Sequence, residues 1–233
     1  MENIQIIALL ALGWCIVFCG FHFFRLIKLG KVNDLSQKSG DVTSAVIYSN
    51  TAAMLPAQKE SAYMHLPTFI AGSIYHIGTF LALLLFVLLF FKKVWAWLLI
   101  YWWIPAFLSC FLLATSLCGL SLFLKRLFSK KLKPFSNLDD LFSNGIVTLF
   151  QLFSFALLVS AAIVAFDKFY LFSIFYLTNI LIHGYYISAI VLLLYLPFGK
   201  LKHAIYYFAA RYHVGFFYGW RNTWPPKKRK DKK

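Results

Sequence analysis

Residues 66–91 read LPTFIAGSIYHIGTFLALLLFVLLFF and contain no Lys, Arg, Asp or Glu. About 20 apolar residues in helical form span the hydrocarbon core of a bilayer. Because no water is available there, a spanning segment must satisfy its own backbone N–H and C=O groups, as a helix does. This stretch therefore predicts a transmembrane helix.

Four other uncharged runs have a similar character, at residues 4–24, 94–124, 141–166 and 169–198. The whole chain is 61% hydrophobic and only 13% charged, whereas a soluble domain is about 25% charged. This composition excludes a soluble globular protein. It predicts an all-α integral membrane bundle of five transmembrane helices over residues 1–198, followed by a separate tail over residues 199–233.

The distribution of basic residues predicts the orientation. If the N-terminus lies outside, 20 of the 23 Lys and Arg residues lie on the inner side, as the positive-inside rule requires. The same rule explains the net charge of +15 without nucleic acid as a partner. We expect a multi-pass protein of the cell (inner) membrane with its C-terminus in the cytoplasm.

Aromatic and basic residues alternate in the tail, which is typical of a segment at a membrane interface. The tail could be a plain membrane anchor or a docking surface for a cytoplasmic partner, and the sequence leaves both open. Only Lys92 and Lys93 separate the second span from the third, and only Asp167 and Lys168 separate the fourth from the fifth. We therefore expect two tight helical hairpins.

The ionisable residues inside the spans indicate the chemistry. No Asp or Glu lies within the five runs, which disfavours proton-coupled carriers and cation channels. The deepest ionisable residues are His76 and His183. A neutral imidazole is a strong ligand for iron, so these residues are candidate axial ligands of haem, with small residues beside them that could leave room for the macrocycle: Gly72, Ser73, Gly78 and Gly184. The alternative is that they hydrogen-bond to neighbouring helices without any cofactor.

The spacing of the other histidines allows more than one pairing. His65 and His76 are eleven residues apart, which places them about 20° apart on one helix face. His183 and His203 are twenty residues apart, with Pro197 between them, and a proline ends or kinks a helix. Depth would pair His76 with His183 and His65 with His203. The cysteines have no iron–sulfur spacing, so an iron–sulfur relay would belong to another chain.

Two short segments carry a family resemblance. Residues 73–78 (SIYHIG) and 196–203 (LPFGKLKH) resemble the gamma subunit of respiratory nitrate reductase. They are equally similar to the related membrane cytochrome b subunits of sulfite-reductase-associated, heterodisulfide-reductase-like and hydrogenase-linked complexes. In that family, four histidines of the second and fifth spans hold two b haems, and quinone reacts at the membrane.

The resemblance implies a ligand set. His76 and His203 match the motifs best, His183 matches the other fifth-span ligand in approximate place, and His65 is a candidate substitute for a histidine missing near Phe86 and Val87. It implies one or two b haems, a quinone (menaquinone among them) as exchangeable substrate, and partner subunits with iron–sulfur or other redox centres. Basic residues near the inner surface would bind the haem propionates: Arg25, Lys200, Lys202 and Arg211.

This chain would then be the electron-transfer subunit of a respiratory oxidoreductase complex and not an enzyme alone. Two other functions remain open. One is a cofactor-free membrane anchor or assembly subunit, and the other is a small transporter or a lipid-modifying enzyme.

Overall fold

The protein is described by a computed structural model over residues 3–29, 34–58, 64–166 and 172–226. These residues form helices and turns and contain no β-strand. The helices, in chain order, are α1 (Asn3–Lys28), α2 (Val42–Asn50), α3 (Leu66–Leu88), α4 (Lys92–Ile100), α5 (Trp103–Phe128), α6 (Leu138–Phe166), α7 (Phe172–Tyr195) and α8 (His203–Trp220).

Five of these helices, α1, α3, α5, α6 and α7, are long and apolar enough to cross a membrane. The all-α fold with five spanning helices is therefore confirmed, and the chain is a multi-pass membrane protein. Large apolar side chains point outward along these helices, with Leu10 69% exposed and Phe80 67% exposed. Lipid is the solvent that such a surface requires. The direction in which the chain crosses the membrane stays a prediction.

The third span begins later than the sequence predicted. Residues 94–100 belong to the short helix α4. The helix is followed by Tyr101, where the backbone leaves the helical region (φ −109°, ψ 79°). Pro105 lies in the first turn of α5, a position where a proline costs little because its missing N–H has no helical partner. The proline therefore starts a new helix instead of continuing the old one.

The fifth span ends close to the predicted point. Helix α7 stops at Tyr195, two residues before Pro197, and the chain turns through residues 196–199. A Cβ at Gly199 would collide with the ring of Tyr195, so a larger residue there would have to displace that ring. The hairpin predicted at Asp167 and Lys168 lies outside the described residues.

The chain forms two compact units. The bundle unit comprises Met1–Ile16 and Pro67–Leu201, and the second unit, here called the α2–α8 unit, comprises Val17–Leu66 and Lys202–Lys233. The predicted boundary between residues 198 and 199 is close to the point where the chain enters the α2–α8 unit. The sequence did not predict that residues 17–66 belong to the same unit.

Small residues bring the helices of the bundle unit together. A Cβ on Gly78 of α3 would overlap Thr115 of α5, and a Cβ on Gly119 of α5 would meet the ring of Tyr75 of α3. In lipid, helices associate through close packing and interhelical hydrogen bonds, and small residues permit that approach. These two glycines therefore set the close crossing of α3 and α5.

Aromatic rings fill the interior between α3, α6 and α7. The rings of Phe150 and Tyr185 are stacked with their centroids 5.5 Å apart. Phe86 packs edge-on against Phe150 at 6.3 Å and lies 6.1 Å from Tyr185. All three side chains are almost completely buried, so this part of the bundle unit is a packed core without space for a large group.

Helices α2 and α8 pack closely in the α2–α8 unit. Gly215 and Gly219 of α8 face α2, where a Cβ on Gly215 would meet Val46 and a Cβ on Gly219 would meet Ala45. The guanidinium Nε of Arg211 donates to the carbonyl oxygen of Ser49 at 2.8 Å, and the Ser49 hydroxyl donates back to the carbonyl of Arg211 at 2.7 Å. The tail therefore contains a helix that packs against α2, and the choice between a membrane anchor and a docking surface stays open.

We expect Gly219→Leu to separate α2 from α8. The larger side chain would have to displace Ala45 and the backbone of Val42, and such overpacking costs about 1–3 kcal/mol. Hydrogen exchange in residues 42–50 should become faster. Gly13→Leu is the matched control, because a Cβ at Gly13 meets nothing within 4 Å; equal exchange rates in both variants would contradict this packing.

The same unit should loosen in acid. The Asp41 carboxylate caps α2, and bonds from the Ser44 hydroxyl and from the backbone N–H groups of Thr43 and Ser44 lower its pKa. A lowered folded-state pKa stabilises the unit above the unfolded value of about 3.9, and this contribution is lost as the pH falls through the lowered pKa. Hydrogen exchange of α2, corrected for the intrinsic rate, should therefore rise below about pH 4. No such rise is expected for Asp41→Asn.

Candidate histidine sites

His76 lies near the middle of α3, about 15 Å from its first residue. Its side chain is exposed, whereas its neighbours Tyr75 and Gly78 are buried in the bundle unit. The residues that share its side of the helix are apolar and outward-facing, with Ile77 57% and Phe80 67% exposed. The imidazole therefore lies on a surface that otherwise suits lipid.

His183 occupies the corresponding place on α7. It lies about 17 Å from Phe172, near the middle of that helix, and its side chain is exposed between Ile180 and Ile187, which are 53% and 54% exposed. Its ring Nδ1 lies 2.7 Å from the carbonyl oxygen of Asn179. A carbonyl can only accept, so Nδ1 carries the proton and Nε2 carries the free lone pair of a neutral ring.

The other two predicted ligands lie at helix ends. His65 directly precedes α3, and His203 is the first residue of α8. Both side chains are exposed, and both residues belong to the α2–α8 unit, whereas His76 and His183 belong to the bundle unit. The four histidines therefore divide between the two units in the same pairs that their depth predicts. Within the described ranges, no group of three or more His, Cys, Asp or Glu side chains could hold a metal ion.

The small residues near the histidines differ in what surrounds them. Gly184 accommodates the ring of Phe153, and Gly78 accommodates Thr115, so protein side chains cover both glycines in this structure. At Gly72 a Cβ would meet nothing within 4 Å. Gly72 lies one turn before His76 on the same face, so open backbone adjoins this imidazole on the outward face.

The basic residues predicted to bind propionates fall into two groups. Lys200 forms an ion pair with Asp140, which also pairs with Arg126 at 3.2 Å, and Arg211 is bonded to Ser49. These two predicted residues therefore already have protein partners. Arg25 and Lys202 have exposed side chains at the end of α1 and just before α8, and the propionate role of all four residues stays a prediction.

Asp140 forms two ion pairs that the sequence did not predict. Its carboxylate is 3% exposed and joins the end of α5 to the start of α6 and to the turn after α7. Asn137 and Asp140 also exchange side-chain to backbone hydrogen bonds of 2.8 and 3.1 Å. This is a capping-box arrangement, and the spacing Asn-x-x-Asp before an apolar run was the available signal.

A buried amide holds α3 next to His76. The Gln151 side chain of α6 is fully buried, and its Nε2 donates to the carbonyl of Tyr75 at 3.0 Å and to the hydroxyl of Thr79 at 2.9 Å. The Tyr75 hydroxyl donates to the carbonyl of Asn144 at 3.1 Å. These bonds fix the α3 backbone immediately before His76.

No protein-family model, no curated protein and no solved structure matches this chain. The resemblance to the nitrate reductase gamma subunit family stays a prediction.

We expect Gln151→Leu to lower the stability of the bundle unit by about 1 kcal/mol, the size typical of interhelical hydrogen bonds in membranes. Leucine has a similar size to glutamine, but it cannot make either of the two bonds to α3. Thermal unfolding in detergent would measure the change. Ser154→Ala is the control, because the buried Ser154 hydroxyl bonds only within its own helix, to the carbonyl of Phe150. Equal melting temperatures for Gln151→Leu and the control would contradict the role of the amide.

Proposed function

We propose that this chain is the haem b subunit of a quinone-linked membrane oxidoreductase complex. His76 and His183 would ligate one haem in the middle of the membrane. His65 and His203 would ligate a second haem at the level of the helix ends. The chain would pass electrons between the quinone pool in the bilayer and a partner subunit that carries iron–sulfur or other redox centres.

The observation that carries the proposal is the exposure of two imidazoles at membrane depth. Both rings lie on outward, otherwise apolar faces of spanning helices. Ionisable residues at this depth are uncommon and are a functional hypothesis by default. A neutral imidazole offers a strong ligand nitrogen to iron.

The tautomer of His183 supports ligation in particular. Metal-bound histidines usually donate their second ring N–H to a carbonyl or carboxylate, which fixes the ring and raises its basicity. The bond from Nδ1 of His183 to the Asn179 carbonyl has this form. It directs Nε2 away from its own helix backbone, toward the side on which a bound group would lie.

The similar depth of His76 and His183 supports their pairing. Each lies near the middle of a spanning helix, and both belong to the bundle unit. Helices α3 and α7 are neighbours, because Phe86 of α3 packs against Tyr186 of α7 with ring centroids 6.3 Å apart. A bis-histidine site would therefore use two adjacent helices, as cofactor sites in helix bundles do.

The protein would contribute ligation, orientation and environment. A bound haem would supply one-electron redox chemistry, while two histidine ligands would leave no iron position for oxygen. The Asn179 carbonyl would hold the His183 ring in one tautomer, and Gln151 would hold the α3 backbone that carries His76. Arg25 and Lys202, which belong to the same unit as His65 and His203, would neutralise the propionates of the second haem.

The test is the haem content of single variants purified in detergent. We expect His76→Ala and His183→Ala each to lose one haem per chain, because each removes one ligand of the same iron. Haem would be counted by pyridine haemochrome against protein mass, with a size-exclusion profile to show that the variant is folded.

His213→Ala is the matched control, since His213 is an exposed histidine of α8 outside the ligand set. Its haem content should equal that of the unmodified chain. Full haem content in folded His76→Ala and His183→Ala would refute the assignment of these ligands. Loss of haem in only one of them would refute their pairing.

A further inference from the structure

An open groove runs between α1 and α8 in the α2–α8 unit. Its volume is about 580 Å³. The α1 wall is formed by residues 19–27 and the α8 wall by residues 204–213, and His22 Nδ1 and the Tyr206 hydroxyl oxygen, 2.9 Å apart, join the two helices. This α1–α8 groove is separate from the His76 and His183 site, which lies in the bundle unit.

The walls of the groove are apolar and open to the exterior. Phe23 is 55% exposed, Ile27 is 58% exposed and Phe208 is 68% exposed. Gly20 lies on the α1 wall, and a Cβ there would meet nothing within 4 Å. The groove is therefore open and hydrophobic, with free space beside Gly20, which suits a hydrocarbon chain.

Positive charge accompanies the groove. Lys28 lies in the last turn of α1, directly after the groove residue Ile27, and unlike Arg25 and Lys202 it has no part in the proposed haem sites. Among the described residues of this unit there are six Lys and Arg against two Asp. Both carboxylates are already engaged, Asp34 with Arg221 at 2.7 Å and Asp41 as the cap of α2. The excess positive charge is left for an anionic ligand.

We propose that the α1–α8 groove binds one anionic phospholipid. An acyl chain would lie along Cys19, Gly20 and Phe23, and the phosphate would lie at the basic end of α1, near Lys28. Hydrophobic burial would hold the chain, and each nearby Lys or Arg would contribute about 1 kcal/mol of attraction for the anionic head group. The inference does not depend on haem.

The experiment uses the full-length chain in nanodiscs of phosphatidylglycerol and phosphatidylcholine in equal amounts. Lipids that remain bound after transfer to detergent are counted by native mass spectrometry. We expect one retained phosphatidylglycerol per chain, and we expect Gly20→Phe to lose it because the new ring would fill the groove. Gly13→Phe is the matched control, since Gly13 is also open but does not line the groove, and it should keep the lipid.

The charge is tested by a second pair of variants. Lys28→Gln should lower the preference for phosphatidylglycerol over phosphatidylcholine about fivefold, the factor that corresponds to about 1 kcal/mol. Lys133→Gln, an exposed lysine of the bundle unit, should leave the preference unchanged.

Retention of phosphatidylglycerol by Gly20→Phe at the level of the unmodified chain would overturn the proposal. Equal retention of the two lipids by the unmodified chain would overturn it as well. If Gly20→Phe instead released a copurifying protein while the lipid stayed, the groove would be a protein interface and not a lipid site.

Discussion

The absence of water in the membrane core is the constraint on which this structure depends. Backbone N–H and C=O groups placed there must find partners within the protein, and polar side chains are costly there. Inside the bundle unit, Gln151 bonds to the backbone of α3, and Tyr75 bonds to the backbone of α6. The rings of His76 and His183 instead lie on the outward faces of their helices. The proposed cofactor site follows from that contrast.

Helix packing decides where such a site can lie. Phe86, Phe150 and Tyr185 close the space between α3, α6 and α7, and glycines that resemble a cofactor cradle are filled by protein side chains. The outward faces of α3 and α7 are what remain for a large planar group. Electron exchange with a quinone in the bilayer would suit a site on such a surface.

The fold was largely predictable from the sequence, because the length of an apolar run and the absence of charge determine a spanning helix. The break before Pro105 could not be predicted from composition, because it depends on this proline lying in the first turn of α5. The partnership of α2 with α8 was not predictable from composition, although Gly215 and Gly219 have the spacing of a close helix contact. The positions of His76 and His183 within their apolar runs predicted that both lie deep in the membrane. The sequence could not show that both rings face outward, because apolar residues flank each histidine on every side of its helix.

The central claim is that the two mid-membrane histidines ligate a redox-active haem. The visible spectrum of the unmodified chain, purified in detergent after expression with adequate haem supply, tests it most directly. The account predicts a b-type α band that appears on reduction by a quinol and does not change when carbon monoxide is added, because both axial positions of the iron are occupied. A folded chain without any haem absorbance would contradict the account, and so would a band that shifts with carbon monoxide.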